Sequence, residues 1–149
     1  MGVEQFVFAG LCGSLVNEMK EGDICFVKEA YSSVGCTSLY SPNSTFSPTK
    51  SELEEKIISA LKLKATKCWS TDAPFRETKS LISFFKDKGA QHVDMECAAV
   101  YAFAELYGLT ALCIVVTTDS FADFKWTLPR DIHSQNTKLK MVVTKIAAL

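Results

Sequence analysis

Four short polar clusters in this chain carry the residue types that chemistry needs. Gly10-Leu11-Cys12-Gly13-Ser14 is a glycine-flanked segment whose backbone N–H groups, in a turn, can face an anion. Asp72, Phe75 and Arg76 lie within Trp69 to Thr78, Asp94-Met95-Glu96 follows Val93, and Thr117-Thr118-Asp119-Ser120 follows an apolar run ending at Val116. Each has a plain structural alternative: a tight strand connection for the glycines, a helix cap or turn for Asp72, the positive end of a helix for Glu96, and a loop start for Asp119. Their common position just past apolar runs is more informative. Glu96, Asp119, Asp72 and Arg76 at one sheet edge would place carboxylates and a guanidinium around one cleft, which suits a polar, hydroxyl-rich substrate.

The elements that would position these residues alternate between strand and helix. Strands are expected at Gln5–Ala9, Ile24–Val27, Ala65–Trp69, His92–Val93 and Leu112–Val116, the last an unbroken apolar run of the kind covered on both faces. Ser51 and Glu54 fit a capping box, opening a helix whose Leu53, Ile57, Ile58 and Leu61 make one apolar stripe. A second helix is expected over about Thr78–Lys88, with Leu81, Ile82, Phe84 and Phe85 as its buried face and Gly89 as its stop. A third carries Ala98, Ala99, Ala102, Phe103, Leu106 and Tyr107 and ends at Gly108. A last one runs from about Ser134 to Ala148 with Leu139, Val142, Val143 and Ile146 inward. Tyr31–Thr49, rich in Ser, Thr, Pro and Asn, reads as a long surface loop. The pattern predicts one α/β domain over residues 1–149, in three αβα layers around a mixed, largely parallel central sheet.

Composition narrows the function classes. The chain has 149 residues, 48% of them hydrophobic, which is enough for a packed core without metal or disulfide support. Sixteen Lys and Arg against 17 Asp and Glu leave a net charge of −1 with no long block of either sign, so neither a nucleic-acid binder nor a polybasic membrane anchor is indicated. No apolar run approaches bilayer length. Cys12, Cys25, Cys36, Cys68, Cys97 and Cys113 form no C-x-x-C pair and mostly sit in apolar segments, which predicts buried reduced thiols in a cytoplasmic protein. With only His92 and His133 and no ligand spacing around them, no metal site is expected.

Val93-Asp94-Met95-Glu96-Cys97-Ala98-Ala99-Val100-Tyr101, followed by Val116-Thr117-Thr118-Asp119, resembles the paired signatures of the nucleoside phosphorylase superfamily, which includes purine nucleoside phosphorylase, uridine phosphorylase and methylthioadenosine nucleosidase. Gly10 to Leu15 resembles the glycine-rich phosphate turn of that family, Glu21-Gly22-Asp23-Ile24 its strand entry, and Trp69–Thr78 a Thr-Asp-Ala-Pro-aromatic-Arg-Glu-Thr stretch of one branch. The resemblance implies that Glu96 accepts hydrogen bonds from ribose hydroxyls, that Met95 packs on the sugar, and that Asp119 serves purine N7 as the base departs. It further implies that Phe75, or the backbone beside Pro74, stacks on the base, that Arg76 reads its edge, that Asp72 also binds substrate, and that Gly10, Leu11 and Gly13 bind phosphate. The implied reaction is phosphorolysis of purine nucleosides to free base and ribose 1-phosphate, with inorganic phosphate as co-substrate, no cofactor, and a homo-oligomer, dimer or hexamer, as the working form. Two departures stand out. Leu11 occupies the position where the family places Ser or Thr, and the match starts at the central phosphate-turn strand, the pattern of an N-terminally truncated form. These leave a hydrolytic nucleosidase, or a catalytically impaired nucleoside-binding or oligomerising remnant, as alternatives.

Overall fold

The computed structural model describes residues 2–149. Its strands are β1 (Gln5–Ser14), β2 (Ile24–Ser33), β3 (Thr45–Phe46), β4 (Lys64–Thr71), β5 (His92–Asp94) and β6 (Thr110–Ser120). Its helices are α1 (Thr37–Tyr40), α2 (Glu52–Leu61), α3 (Lys79–Asp87), α4 (Cys97–Tyr107) and α5 (Ile132–Ala147), with a 3₁₀ turn over Pro74–Arg76. The sheet order is β3-β2-β4-β5-β1-β6, and β2 also pairs with β6, so the sheet closes on itself. The two longest ladders, β1 with β6 and β2 with β4, are parallel, as is β4 with β5; β1–β5, β2–β6 and β2–β3 are antiparallel. The expected α/β architecture with a mixed sheet is therefore present.

Alternation along β6 explains its unbroken apolar sequence. Ala111, Cys113 and Val115 pack with α4 residues Cys97, Ala98, Tyr101 and Ala102, whereas Leu112 and Ile114 join Ile57 of α2 and Val142 of α5. Period-two side chains thus feed two cores, one on each face, and leave no position for a polar residue before Thr117. A third cluster joins α3 to β4 and β5 through Ile82, Phe85, Trp69 and Val93, with Trp69 and Phe85 stacked at 4.6 Å between centroids. Tyr101 ties α4 to the sheet: its hydroxyl donates to the Val27 carbonyl at 2.6 Å and accepts from the Cys113 amide at 3.0 Å. Tyr101→Phe leaves both buried groups unpartnered, so a loss of about 2 kcal/mol in urea unfolding is expected; an unchanged midpoint would show that this tie contributes nothing.

Several sequence expectations need correction. Gly10–Ser14 does not turn but continues β1 as extended strand, because β6 runs on beside it through the Cys12–Thr117 pair. Tyr31–Thr49 is not one loop: β2 extends to Ser33, and α1 and β3 follow. On α3 only Ile82 and Phe85 are buried, while Leu81 and Phe84 are exposed; Val143 of α5 and Leu53 of α2 also lie at the surface. Helix α5 begins two residues early, at Ile132, where the Asp131 carboxylate accepts from the His133 and Ser134 amides. The Ser51–Glu54 capping box is formed as expected. All six cysteines are free, and all but Cys36 are buried.

Candidate active site

The strand ends meet at a cavity of about 570 Å³. One wall is β1 from Phe8 to Gly13, and beside it the end of β6 presents Thr118 and Asp119. Val93 to Glu96 contribute the junction of β5 and α4, Pro74, Phe75 and Glu77 the 3₁₀ turn, and Phe121 and Trp126 the segment after β6. Gly13 sits at a close approach: a Cβ there would lie 3.2 Å from Val93 Cγ1, so that Val93 would have to shift, and 3.4 Å from Asp119 Oδ2. The Asp119 carboxylate lies against the strand at this glycine.

Each carboxylate is held differently. The Asp119 Oδ2 accepts from the Trp126 indole N–H, and Oδ1 lies 2.6 Å from the Thr118 hydroxyl, which also reaches the Cys12 carbonyl at 3.1 Å. Trp126 in turn stacks parallel on Phe121. Asp94 is buried and acts as an organising group. Its Oδ2 accepts from the Cys97 amide at 2.8 Å and the Glu96 amide at 3.3 Å, and its Oδ1 accepts from the Ser70 hydroxyl. The Ser70 oxygen accepts from the Ala98 amide at 2.9 Å, so β4, β5 and the first turn of α4 are locked together. Asp94 thereby satisfies amides that a helix start leaves without intrahelical partners and orients Met95 and Glu96 toward the cavity. Burial, then the nearby Asp94 charge, raises the Glu96 carboxyl above the ordinary carboxylate range.

Glu77 is the most perturbed acid in the group. Burial, reinforced by the Asp119 charge, pushes it up to about 7, and its Oε2 is buried without a hydrogen-bond partner. His92, in β5 behind the cavity, is pushed down to about 4 by burial and is neutral at physiological pH. No lysine or arginine lines the cavity among the described residues, so four carboxyl groups face it without a fixed cation.

Of the residues singled out from sequence, Gly10, Leu11, Gly13, Phe75, Met95, Glu96 and Asp119 are brought together here. Asp72 and Arg76 are not. Asp72 turns away to accept the Gly35 amide at 2.7 Å, and Arg76 ends the 3₁₀ turn with an exposed side chain outside the cavity. Trp126 and Phe121 were missed, and Asp94 and Glu77 were given no role although Asp94 lies in the Asp94-Met95-Glu96 cluster and Glu77 in the Thr-Asp-Ala-Pro-Phe-Arg-Glu-Thr stretch. The acid of that stretch and a tryptophan after the Leu112–Val116 strand were the available signals. The aromatic groups Phe8, Phe75, Phe121 and Trp126 suit a planar ring, and the carboxyl groups suit hydroxyl and N–H donors on one ligand.

The chain matches the family described as the phosphorylase superfamily over residues 1–147. It is 22% identical over 152 aligned positions to a DeoD-type purine nucleoside phosphorylase of Clostridium novyi, covering 98% of this chain and 65% of that one. Against a DeoD-type purine nucleoside phosphorylase of Bacillus cereus the identity is 27%, covering 79% of this chain and 53% of the other. Among solved structures, Toxoplasma gondii purine nucleoside phosphorylase in complex with immucillin-H superposes with a TM-score of 0.77 at 20% identity, covering 98% of this chain and 62% of that one. Helicobacter pylori methylthioadenosine/S-adenosylhomocysteine nucleosidase gives a TM-score of 0.69 at 23% identity, covering 97% and 69%. These structures share the fold. The chain spans between about half and two thirds of the length of the curated relatives it matches.

Proposed function

The chain belongs to the phosphorylase superfamily, and from that premise we propose that it cleaves the N-glycosidic bond of purine nucleosides to release the free base. One observation carries this reading: Glu96 and Asp119 line one aromatic-walled cavity of nucleoside size. In this reading Glu96 accepts hydrogen bonds from the ribose hydroxyls, and its negative charge favours the positive charge that develops on the sugar as the bond breaks. Met95 packs on the ribose, and Phe75 covers the base. The Asp119 end of the cavity receives the purine, whose ring gains negative charge as it departs and needs a proton.

Phosphate as the attacking group follows from the family and from the purine nucleoside phosphorylases among the relatives. Its support in this chain is the edge of β1, where Gln5–Cys12 pair with β6 on one side and, among the described residues, with no strand on the other, leaving the outward-facing backbone groups of that stretch free of a ladder. Gly10, Leu11 and Gly13 are the proposed anion contacts. Water is the second reading, favoured by a lining that holds carboxyl groups and no cation, which opposes entry of a phosphate dianion. The unpaired β1 edge also supports a proposed homo-oligomer, dimer or hexamer, since such an edge is a template for pairing. A cytoplasmic setting is proposed from the free thiols. No helix among the described residues is long and apolar enough to cross a membrane.

Chromatographic detection of base released from adenosine, inosine and uridine, with and without inorganic phosphate, tests the proposal. Purine release only with phosphate is the result expected of a phosphorylase, and release in both conditions that of a nucleosidase. No release from any nucleoside would refute glycosidic cleavage and leave nucleoside binding as the function to measure.

A further inference from the structure

Glu77 belongs to the Trp69–Thr78 stretch that resembles one branch of the family but has no role in the proposed reaction so far, yet it lines the same cavity as Asp119. Its backbone is fixed from both sides: its amide donates to the Pro74 carbonyl at 3.4 Å, closing the 3₁₀ turn, and the next residue, Thr78, caps α3 by accepting from the Leu81 amide. The side chain is therefore carried on a rigid corner. Its Oε2 is buried and makes no hydrogen bond, an arrangement that costs free energy unless a ligand completes it. Asp119 differs. The Trp126 indole can only donate, so Asp119 Oδ2 is committed as an acceptor.

Resting on the glycosidic-cleavage reading, we infer that Glu77 is the protonated acid of this cavity, standing beside the Asp119 charge, and that it delivers its proton to the purine as the C1′–N9 bond breaks. The Asp119 charge in the same cavity disfavours ionisation of Glu77, whose burial already penalises its charged form. The position of Glu77, pushed up to about 7, agrees with this. The other ionisable groups facing the cavity supply no cation: Asp94 and Glu96 from the β5–α4 junction are acids, and the Cys12 thiol of β1 is raised by burial and neutral. The 3₁₀ turn and the Phe121–Trp126 segment contribute no other ionisable lining group among the described residues.

The step balances. The C1′–N9 electron pair passes into the purine, the Glu77 Oε2–H proton moves to the ring nitrogen that gains the charge, and an oxygen of hydrogen phosphate or water bonds C1′. The proton lost by the attacking water, or by the remaining P–OH of the phosphate ester formed, restores Glu77, so the enzyme ends as it began. Glu77 is then a catalytic residue, and Asp119 is the acceptor that orients the purine and keeps the proton on its neighbour.

Three measurements on the full chain test this. With adenosine and inosine as probes, wild-type kcat/KM should fall as pH rises through about 7, because the proton is lost there. Glu77→Gln should lower kcat by about 100-fold with KM little changed and remove that limb of the profile. Carbon-13 NMR of labelled glutamate carboxyl groups, assigned by the signal missing in Glu77→Gln, should show Glu77 titrating near 7 and moving down in Asp119→Asn. A Glu77 signal titrating in the ordinary carboxylate range, or a Glu77→Gln enzyme with wild-type rate and pH profile, overturns the inference while leaving glycosidic cleavage standing. Absence of base release from the wild-type chain overturns both, which separates the two failures.

Discussion

Glu96→Gln should lower kcat/KM for purine nucleosides by about 10² to 10³-fold while leaving the unfolding midpoint within experimental error. The side chain opens to the cavity and makes no side-chain cap on α4, although Glu96 is the N-cap residue, so its loss removes no structural hydrogen bond of the helix. What it removes is negative charge. Glutamine can still hydrogen-bond a ribose hydroxyl, so substrate binding falls less than turnover, and the loss concentrates in kcat, where the sugar carries positive charge. Steady-state kinetics beside urea unfolding separates the two quantities. Turnover equal to wild type would remove Glu96 from the proposed site. A large drop in stability would mean that the residue holds the helix instead.

Asp94→Ala should have the opposite profile, a loss of about 3 to 5 kcal/mol in stability. Four hydrogen-bond donors converge on this one carboxylate: the Cys97 and Glu96 amides, the Ser70 hydroxyl and the Cys68 thiol at 3.3 Å. It is also buried, so water does not replace those partners on truncation. For a domain of this size the expected fall in Tm is about 10 °C or more, read by calorimetry. Asp94→Asn should recover part of it, because the amide oxygen still accepts while its NH₂ meets donors. A change below about 1 kcal/mol for the alanine variant would mean that the α4 terminus is held by packing alone. Activity in the alanine variant should fall as well, through the Met95–Glu96 segment that Asp94 orients, so the pair of variants distinguishes a group acting on substrate from one acting through its neighbours.

The two variants describe how the site is made. The carboxylate proposed to meet substrate is mounted on a helix terminus, and a second, buried carboxylate two residues earlier secures that terminus to β4 through Ser70. On the other side, Asp119 lies against β1 at Gly13 and the Phe121–Trp126 stack fixes the indole that bonds it. Rigid elements hold the acids, whereas Phe75, on the 3₁₀ turn, is almost fully exposed and free to settle on a bound ring.

Local sequence alone determined much of this. The run from Ala111 to Val116 requires a strand buried on both faces, Ser51 with Glu54 requires a helix start, and Met95-Glu96 with Asp119 past two strand ends places the acids at one sheet edge. These follow from periodicity and capping, which act over a few residues. Tertiary structure decided the remainder. Gly10–Ser14 has turn composition, yet it stays extended because β6 offers a partner for its backbone along that length. Arg76 and Glu77 are neighbours, but Arg76 ends the 3₁₀ turn and Glu77 caps it with a non-helical backbone, so one faces solvent and the other the cavity. Which of them faces inward is set by how α3 and the turn pack against β4 and β5, a relation between distant segments that no local spacing records.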